Sequence, residues 1–175
     1  MNEEVTLGYT GGWPQELPVE VYFLKYAFPC AFISLQRGRI DQSEYEMLED
    51  AAINNRVIPK EQLEEVFVPA IRRMKRLADK MDLDVWSRVL LEEYYIKQHN
   101  QIIDEGIEDY AHAPEVLREL CKVRMAEIIE VKGDLAVAKL ENGKDRAVQS
   151  DLVGMLKVGD KVMVHYGYVV EKLSS

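Results

Sequence analysis

The stretch that decides the fold runs from residue 121 to residue 149 and reads CKVRMAEIIEVKGDLAVAKLENGKDRAVQ. It is rich in β-branched residues and is broken by turn signals. Asn142-Gly143 is the strongest of these signals, because both central positions of a type I′ turn need positive φ. Strands are predicted here and just downstream, at residues 123–131, 135–140, 146–149 and 161–170. Short antiparallel strands predict a closed or nearly closed small barrel, because an open sheet of this size would leave its edges unprotected.

Upstream of this stretch, from Leu17 onward, apolar residues recur at helical spacing. Pro29 predicts a kink or restart, and Asp41 followed by Glu44 predicts a capping box. Further helix boundaries are predicted at Gly38, Pro59, Asp84, Gly106 and Pro114, and Pro69 is predicted to bend the helix that begins at Pro59. Four or five amphipathic helices joined by short turns predict a bundle.

The predicted fold class is therefore α+β, with two domains of different charge. The first, residues 1–114, is an all-α domain with an irregular N-terminal arm in which Trp13 is a candidate packing anchor; it carries 12 Lys and Arg against 21 Asp and Glu. The second, residues 115–175, is the barrel and carries 10 against 10. An acidic body repels phosphate backbones and anionic lipids, so nucleic acid is not expected as a partner of the whole molecule.

Cysteine content and hydropathy indicate the cellular compartment in which the chain is expected. Two cysteines make no disulfide framework, and no signal segment opens the chain, so a cytoplasmic location is expected. The most apolar stretch, residues 17–35, is interrupted by two charged residues and a proline. It predicts a pair of buried core helices rather than a membrane span.

Two side chains of the barrel region are candidates for chemistry. Cys121 stands at the start of the first predicted strand and His165 lies in the last long one. Barrel closure can bring the first and last strands together, and a thiolate with an imidazole suits a soft transition metal such as iron, copper or zinc. The alternative is an inert buried thiol and a hydrogen-bonded histidine.

The other candidates are weaker. Glu108 and His112 stand one helical turn apart near Asp104, a spacing that can bind metal but is more typical of a solvated face. His99 is interpreted as a surface or satisfied core residue, and Cys30, within Phe-Pro-Cys-Ala-Phe, as buried.

Downstream of Cys121, the sequence carries the run DLVG at residues 151–154, followed by KVGDKVMVHYGY at residues 157–168. With the strand segment after Cys121, these runs resemble the HypC/HupF family of nickel–iron hydrogenase maturation chaperones. The resemblance covers about the last third of the chain.

The resemblance implies a small OB-like barrel without turnover chemistry of its own, so the chain is predicted to be an assembly factor and not an enzyme. Family members hold an iron bearing cyanide and carbon monoxide while it is built on a scaffold protein, and pass it to the hydrogenase large subunit. The family cysteine and histidine map onto Cys121 and His165, which are the predicted metal ligands, with transiently bound iron as the cargo. These two proteins are the predicted partners, and no membrane is expected.

The chain departs from the family pattern at three points. The family cysteine directly follows the initiator Met, whereas Cys121 is internal; a family proline is Met125 here; and the family's C-terminal helix has no counterpart before Ser175. One interpretation is that the helical domain docks where that helix would lie.

Two alternatives belong to other functional classes. Val-Gly-Asp-x-Val occurs in small barrels of many functions, so the barrel is alternatively a protein-interaction or oligonucleotide-binding module that has lost metal carriage. The third hypothesis is an enzyme with its active site between the two domains, although the sequence contains no nucleophile–base pair that suggests a reaction.

Overall fold

The computed structural model describes residues 11–14 and 16–174, so most of the predicted N-terminal arm lies outside the described residues. The helices are α1 (Val19–Ala27), α2 (Ala31–Gln36), α3 (Gln42–Asn54), α4 (Lys60–Val66), α5 (Val68–Met81), α6 (Arg88–Glu92), α7 (His99–Asp104) and α8 (Glu115–Cys121). Short 3-10 turns span Phe28–Cys30 and Glu108–Tyr110, and a π-helical segment, Glu93–Gln98, joins α6 to α7. None of these described helices has the length and apolar character that crossing a bilayer requires.

Several helix boundaries follow the sequence signals. The capping box is present, with the Asp41 carboxylate accepting from the Glu44 amide and the Glu44 carboxylate accepting from the Asp41 amide. Pro29 interrupts the first helix as a 3-10 turn, because proline has no N–H to continue the α-helical ladder. The prediction that Asp84 caps the next helix is wrong. Ser87 is the cap, and Asp84 instead accepts a hydrogen bond from the Trp86 amide in the preceding turn.

Five strands close into a barrel in the order β1-β2-β3-β5-β4. They are β1 (Val123–Lys132), β2 (Leu135–Leu140), β3 (Asp145–Gln149), β4 (Lys161–His165) and β5 (Tyr168–Lys172). All neighbours are antiparallel except β3 and β5, which meet in a short parallel pairing that closes the barrel. The α+β class and the small closed barrel are therefore confirmed.

The single strand predicted over residues 161–170 is wrong, because the chain turns back at Tyr166-Gly167. Tyr166 adopts φ 58°, a left-handed conformation that few non-glycine residues adopt. The β-rich composition continues through this turn, so the pattern does not reveal it. As a result, β1 pairs with β4 and not with the final strand, and His165 lies opposite Val123 in that pairing.

The helices and the barrel share one apolar core. Barrel residues Val123, Leu152, Met163 and Val170 pack in the same cluster as the helical side chains, while a second cluster fills the barrel itself. Lys25 is buried at this junction, where its ammonium donates to the carbonyls of Ala52 and Leu152, and burial lowers its pKa to about 8. The boundary predicted after residue 114 stays a prediction.

Candidate functional site

A cavity of about 110 Å³ lies at the junction between the helices and the end of strand β4. Its lining includes both cysteines and two of the three histidines of the sequence: Cys30, His99, Cys121 and His165. His165 and Cys121 are buried, whereas Cys30 is partly exposed. The cavity is therefore lined by buried donor residues and by Cys30, a residue that is partly exposed.

His165 is oriented by the first helix. Its Nδ1 lies 2.7 Å from the carbonyl oxygen of Tyr26, which can only accept, so Nδ1 carries the ring proton. The unprotonated Nε2 lies 3.6 Å from Sγ of Cys30. A histidine fixed in this way through one nitrogen presents the lone pair of the other as an acceptor or as a metal ligand.

Cys121 and Cys30 interact through their sulfurs. Cys121 ends α8, whose last turn passes directly into β1, and Cys30 ends the 3-10 turn after α1. Hydrogen bonding from the Cys30 thiol lowers the pKa of Cys121 and raises that of Cys30 well above its ordinary value. Nearby Arg146 and Arg37 also favour the Cys121 thiolate, so of the two sulfurs Cys121 is the better nucleophile and soft ligand.

His99 is a further buried residue of the cavity lining. Its ring centroid is 5.2 Å from that of His165, with the two rings nearly perpendicular. Burial, together with the neighbouring His165, holds the pKa of His99 well below its usual range. Both rings are consequently neutral near pH 7, the state in which imidazole binds metals.

The spacing of the donors agrees with soft-metal coordination. Sulfur at about 2.3 Å and imidazole nitrogen at about 2.0 Å from one tetrahedral ion, such as Zn²⁺ or Co²⁺, lie about 3.5 Å apart, close to the separation of Cys30 and His165. Within residues 11–14 and 16–174, no group of three or more His, Cys, Asp or Glu side chains is arranged to hold a metal ion.

Burial of His165 makes stability sensitive to acid. Burial lowers its pKa from 6.5 to about 4. At a pH between these two values, this histidine is protonated in the unfolded chain but not in the folded one. We expect His165 to contribute a loss of about 3 kcal/mol in unfolding free energy as the pH falls from 7 to 4. Urea unfolding across this range should show a shallower loss for His165→Gln and an unchanged one for His112→Gln, which alters an exposed residue. Equal pH dependence in wild type and His165→Gln would contradict this assignment.

The predicted pair, Cys121 and His165, does line one cavity, and the His165 ring also contacts the backbone of Cys121. The prediction that they bind metal stays a prediction. The interpretation of Cys30 as buried holds only in part, because the residue is partly exposed, and its sulfur lies 3.6 Å from Nε2 of His165. No periodicity links residues 135 positions apart, so only the packing of the first helix against the barrel reveals this contact.

The weaker sequence candidates have other roles. Glu108 binds a cluster of three arginines, Arg72, Arg73 and Arg76. Asp104 instead pairs with Lys122, at 2.6 Å. The Glu108, His112 and Asp104 spacing thus does not form a metal site among the described residues. His99 is buried, as the satisfied-core interpretation expects, with Nδ1 3.5 Å from the side-chain oxygen of Asn100.

No curated protein matches the chain. The model of the HupF/HypC family matches residues 125–175, a segment that holds His165 and begins four positions after Cys121. The C-terminal third of this chain, in which the sequence runs resemble those chaperones, thus matches the HupF/HypC family.

Proposed function

We propose that the chain is an assembly chaperone of the hydrogenase-maturation type, which holds an iron centre in the cavity between its helices and its barrel. The observation that carries the proposal is that His165 and Cys121 line one cavity, in which Nε2 of His165 lies 3.6 Å from Sγ of Cys30. The match of residues 125–175 to the HupF/HypC family supports the same function.

In this proposal the side chains act as ligands and do no turnover chemistry. His165 offers Nε2 because Tyr26 holds its other nitrogen, and Cys121 offers a thiolate favoured by the Cys30 thiol. A low-spin ferrous ion accepts soft sulfur and imidazole donors. Its cyanide and carbon monoxide ligands would fill the positions that the chain leaves open, so the ion is cargo and the chain needs no catalytic group.

Transfer of the cargo would proceed through the side of the cavity that reaches solvent. Cys30 is partly exposed there, and Arg37 and Arg39, which also line the cavity, are exposed. Because Cys121 is internal and buried, we propose that a partner approaches Cys30 first and that the helices open to release the ion. In the family that the barrel resembles, the cysteine lies at a free N-terminus. Here the helical domain would position Cys121 instead.

The proposed partners are a hydrogenase-maturation scaffold protein and the hydrogenase large subunit, met in the cytoplasm. Tagged full-length chain purified anaerobically from cells that make a nickel–iron hydrogenase should recover one of these partners and retain iron. The Cys121→Ser chain should retain less iron, because serine is a poor ligand for low-spin iron. Recovery of neither partner, with no iron in the wild-type chain, would reject the function and favour a barrel that has lost metal carriage.

A further inference from the structure

The two cysteines of the chain form a pair on the wall of the cavity. The Cys30 thiol donates a hydrogen bond to the sulfur of Cys121, and both residues belong to the cavity lining. Cys30 ends the 3-10 turn after α1, whereas Cys121 ends α8. The sequence contains no other cysteine. Tertiary packing therefore brings the only two thiols of the chain into contact.

His165 contacts both members of this pair. Its Nε2 lies 3.6 Å from Sγ of Cys30, and its ring contacts the backbone of Cys121. The ring is itself fixed through Nδ1 by the carbonyl oxygen of Tyr26. Cys121 is buried, and Pro29 restricts the backbone immediately before Cys30. The two sulfurs are thus held in contact by residues that are themselves fixed.

Contact between two thiols favours a disulfide over other oxidation products. A disulfide requires side chains directed toward each other so that the sulfurs can approach to about 2.05 Å, and a hydrogen-bonded thiol pair is close to that arrangement. A thiol oxidised alone forms a sulfenic acid, which a neighbouring thiol converts to a disulfide. The cavity of about 110 Å³ has room for only a few water-sized groups, so the oxidant must be small. Hydrogen peroxide meets this limit.

We propose that Cys30 and Cys121 form a redox-active dithiol, which hydrogen peroxide converts to an intramolecular disulfide. One sulfur attacks the peroxide and becomes a sulfenic acid, with release of one water molecule. The second thiol then attacks that sulfur and forms the S–S bond, and its proton leaves with the hydroxyl group as a second water molecule. Two thiols and one peroxide thus yield one disulfide and two water molecules.

The disulfide would withdraw both sulfurs from metal binding, because the thiolate is the form of cysteine that binds metal. This consequence rests on the proposed function, whereas disulfide formation itself requires neither metal nor partner. In the proposed function, oxidation by peroxide stops the chain from accepting its cargo. Reduction by a dithiol restores both sulfurs.

Peroxide titration of the reduced, metal-free full-length chain tests the proposal on the wild-type protein. About one equivalent of hydrogen peroxide should remove both free thiols, counted after denaturation with a chromogenic thiol reagent. Mass spectrometry should show the loss of two hydrogen atoms from the chain and, after proteolysis, two peptides joined through Cys30 and Cys121. Dithiothreitol should restore both thiols.

The matched variants are Cys30→Ser and Cys121→Ser, each of which keeps one sulfur without its neighbour. At least one of them should accumulate a sulfenic acid, trapped by dimedone, about tenfold more than the wild-type chain, in which the second thiol removes it. Free thiols that persist in the wild-type chain, disulfide-linked dimers in place of the intramolecular bond, or wild-type labelling equal to that of both variants would each overturn the proposal.

Titration with Co²⁺ separates this inference from the proposed function. The peroxide-treated chain should bind Co²⁺ at least about tenfold more weakly than the reduced chain, and dithiothreitol should restore the affinity. A chain that forms the disulfide but binds no metal when reduced would refute only the proposed function. One that binds metal when reduced but keeps both thiols in peroxide would refute only this inference.

Discussion

Replacing His165 with glutamine is expected to lower the affinity of the chain for Co²⁺, a spectroscopic stand-in for ferrous iron, by about a hundredfold. The imidazole is the only nitrogen donor with its lone pair held against a sulfur in the described cavity, because Tyr26 occupies its other nitrogen. Anaerobic titration followed by the thiolate-to-cobalt absorption band would measure the loss. His112→Gln, in an exposed position, should bind like wild type.

Serine variants of the two cysteines distinguish the contributions of their sulfurs to Co²⁺ binding in the same titration. Cys121→Ser removes the sulfur whose pKa is lowered, and Cys30→Ser removes the one 3.6 Å from the imidazole. Each should weaken Co²⁺ binding: Cys121→Ser removes the thiolate ligand and its absorption band, and Cys30→Ser removes the thiol that favours that thiolate. Unchanged spectra in both serine variants would show that the metal binds elsewhere.

Glu171→Ala is expected to lower the unfolding free energy by roughly 3–5 kcal/mol. This carboxylate is fully buried in β5 and accepts hydrogen bonds from the amides of Gly12 and Trp13 and from the hydroxyl of Tyr26. Arg88 lies 3.9 Å away. Removing the carboxylate takes away the acceptor shared by these donors, where the arm, the first helix and the barrel are in contact.

Thermal unfolding measures this effect, and a decrease in Tm of about 10 °C is expected for a chain of this length. Glu127→Ala provides the control, because Glu127 pairs with Lys161 on the exposed surface of the barrel and such pairs contribute little. A Glu171→Ala chain as stable as the Glu127→Ala chain would show that the buried carboxylate does not join the helices to the barrel.

The architecture was largely predictable from local signals. The Asp41 and Glu44 capping box, the break at Pro29 and the turn at Asn142-Gly143 depend on neighbouring residues only, and each lies where the sequence indicates. The predicted type I′ geometry of that turn is wrong, because Gly143 has positive φ and Asn142 does not. The turn at Tyr166 was not predictable, because a tyrosine with positive φ is imposed by the closure of the barrel and not by its own preference.

The candidate site was predictable in part. Cys121 and His165 were identified from their residue types and from the family resemblance, and both line the cavity. Cys30 comes from the helical region, which the family match does not cover. Its approach to the barrel depends on tertiary packing of α1, for which neither periodicity nor motif spacing carries information.

X-ray absorption at the iron edge, recorded on the full chain loaded with iron under strict exclusion of oxygen, tests the central claim most directly. The account predicts a sulfur shell together with imidazole nitrogen, with the nitrogen signal lost in His165→Gln and the sulfur signal reduced in Cys121→Ser. Iron surrounded only by oxygen ligands, or a spectrum indifferent to both substitutions, would contradict it.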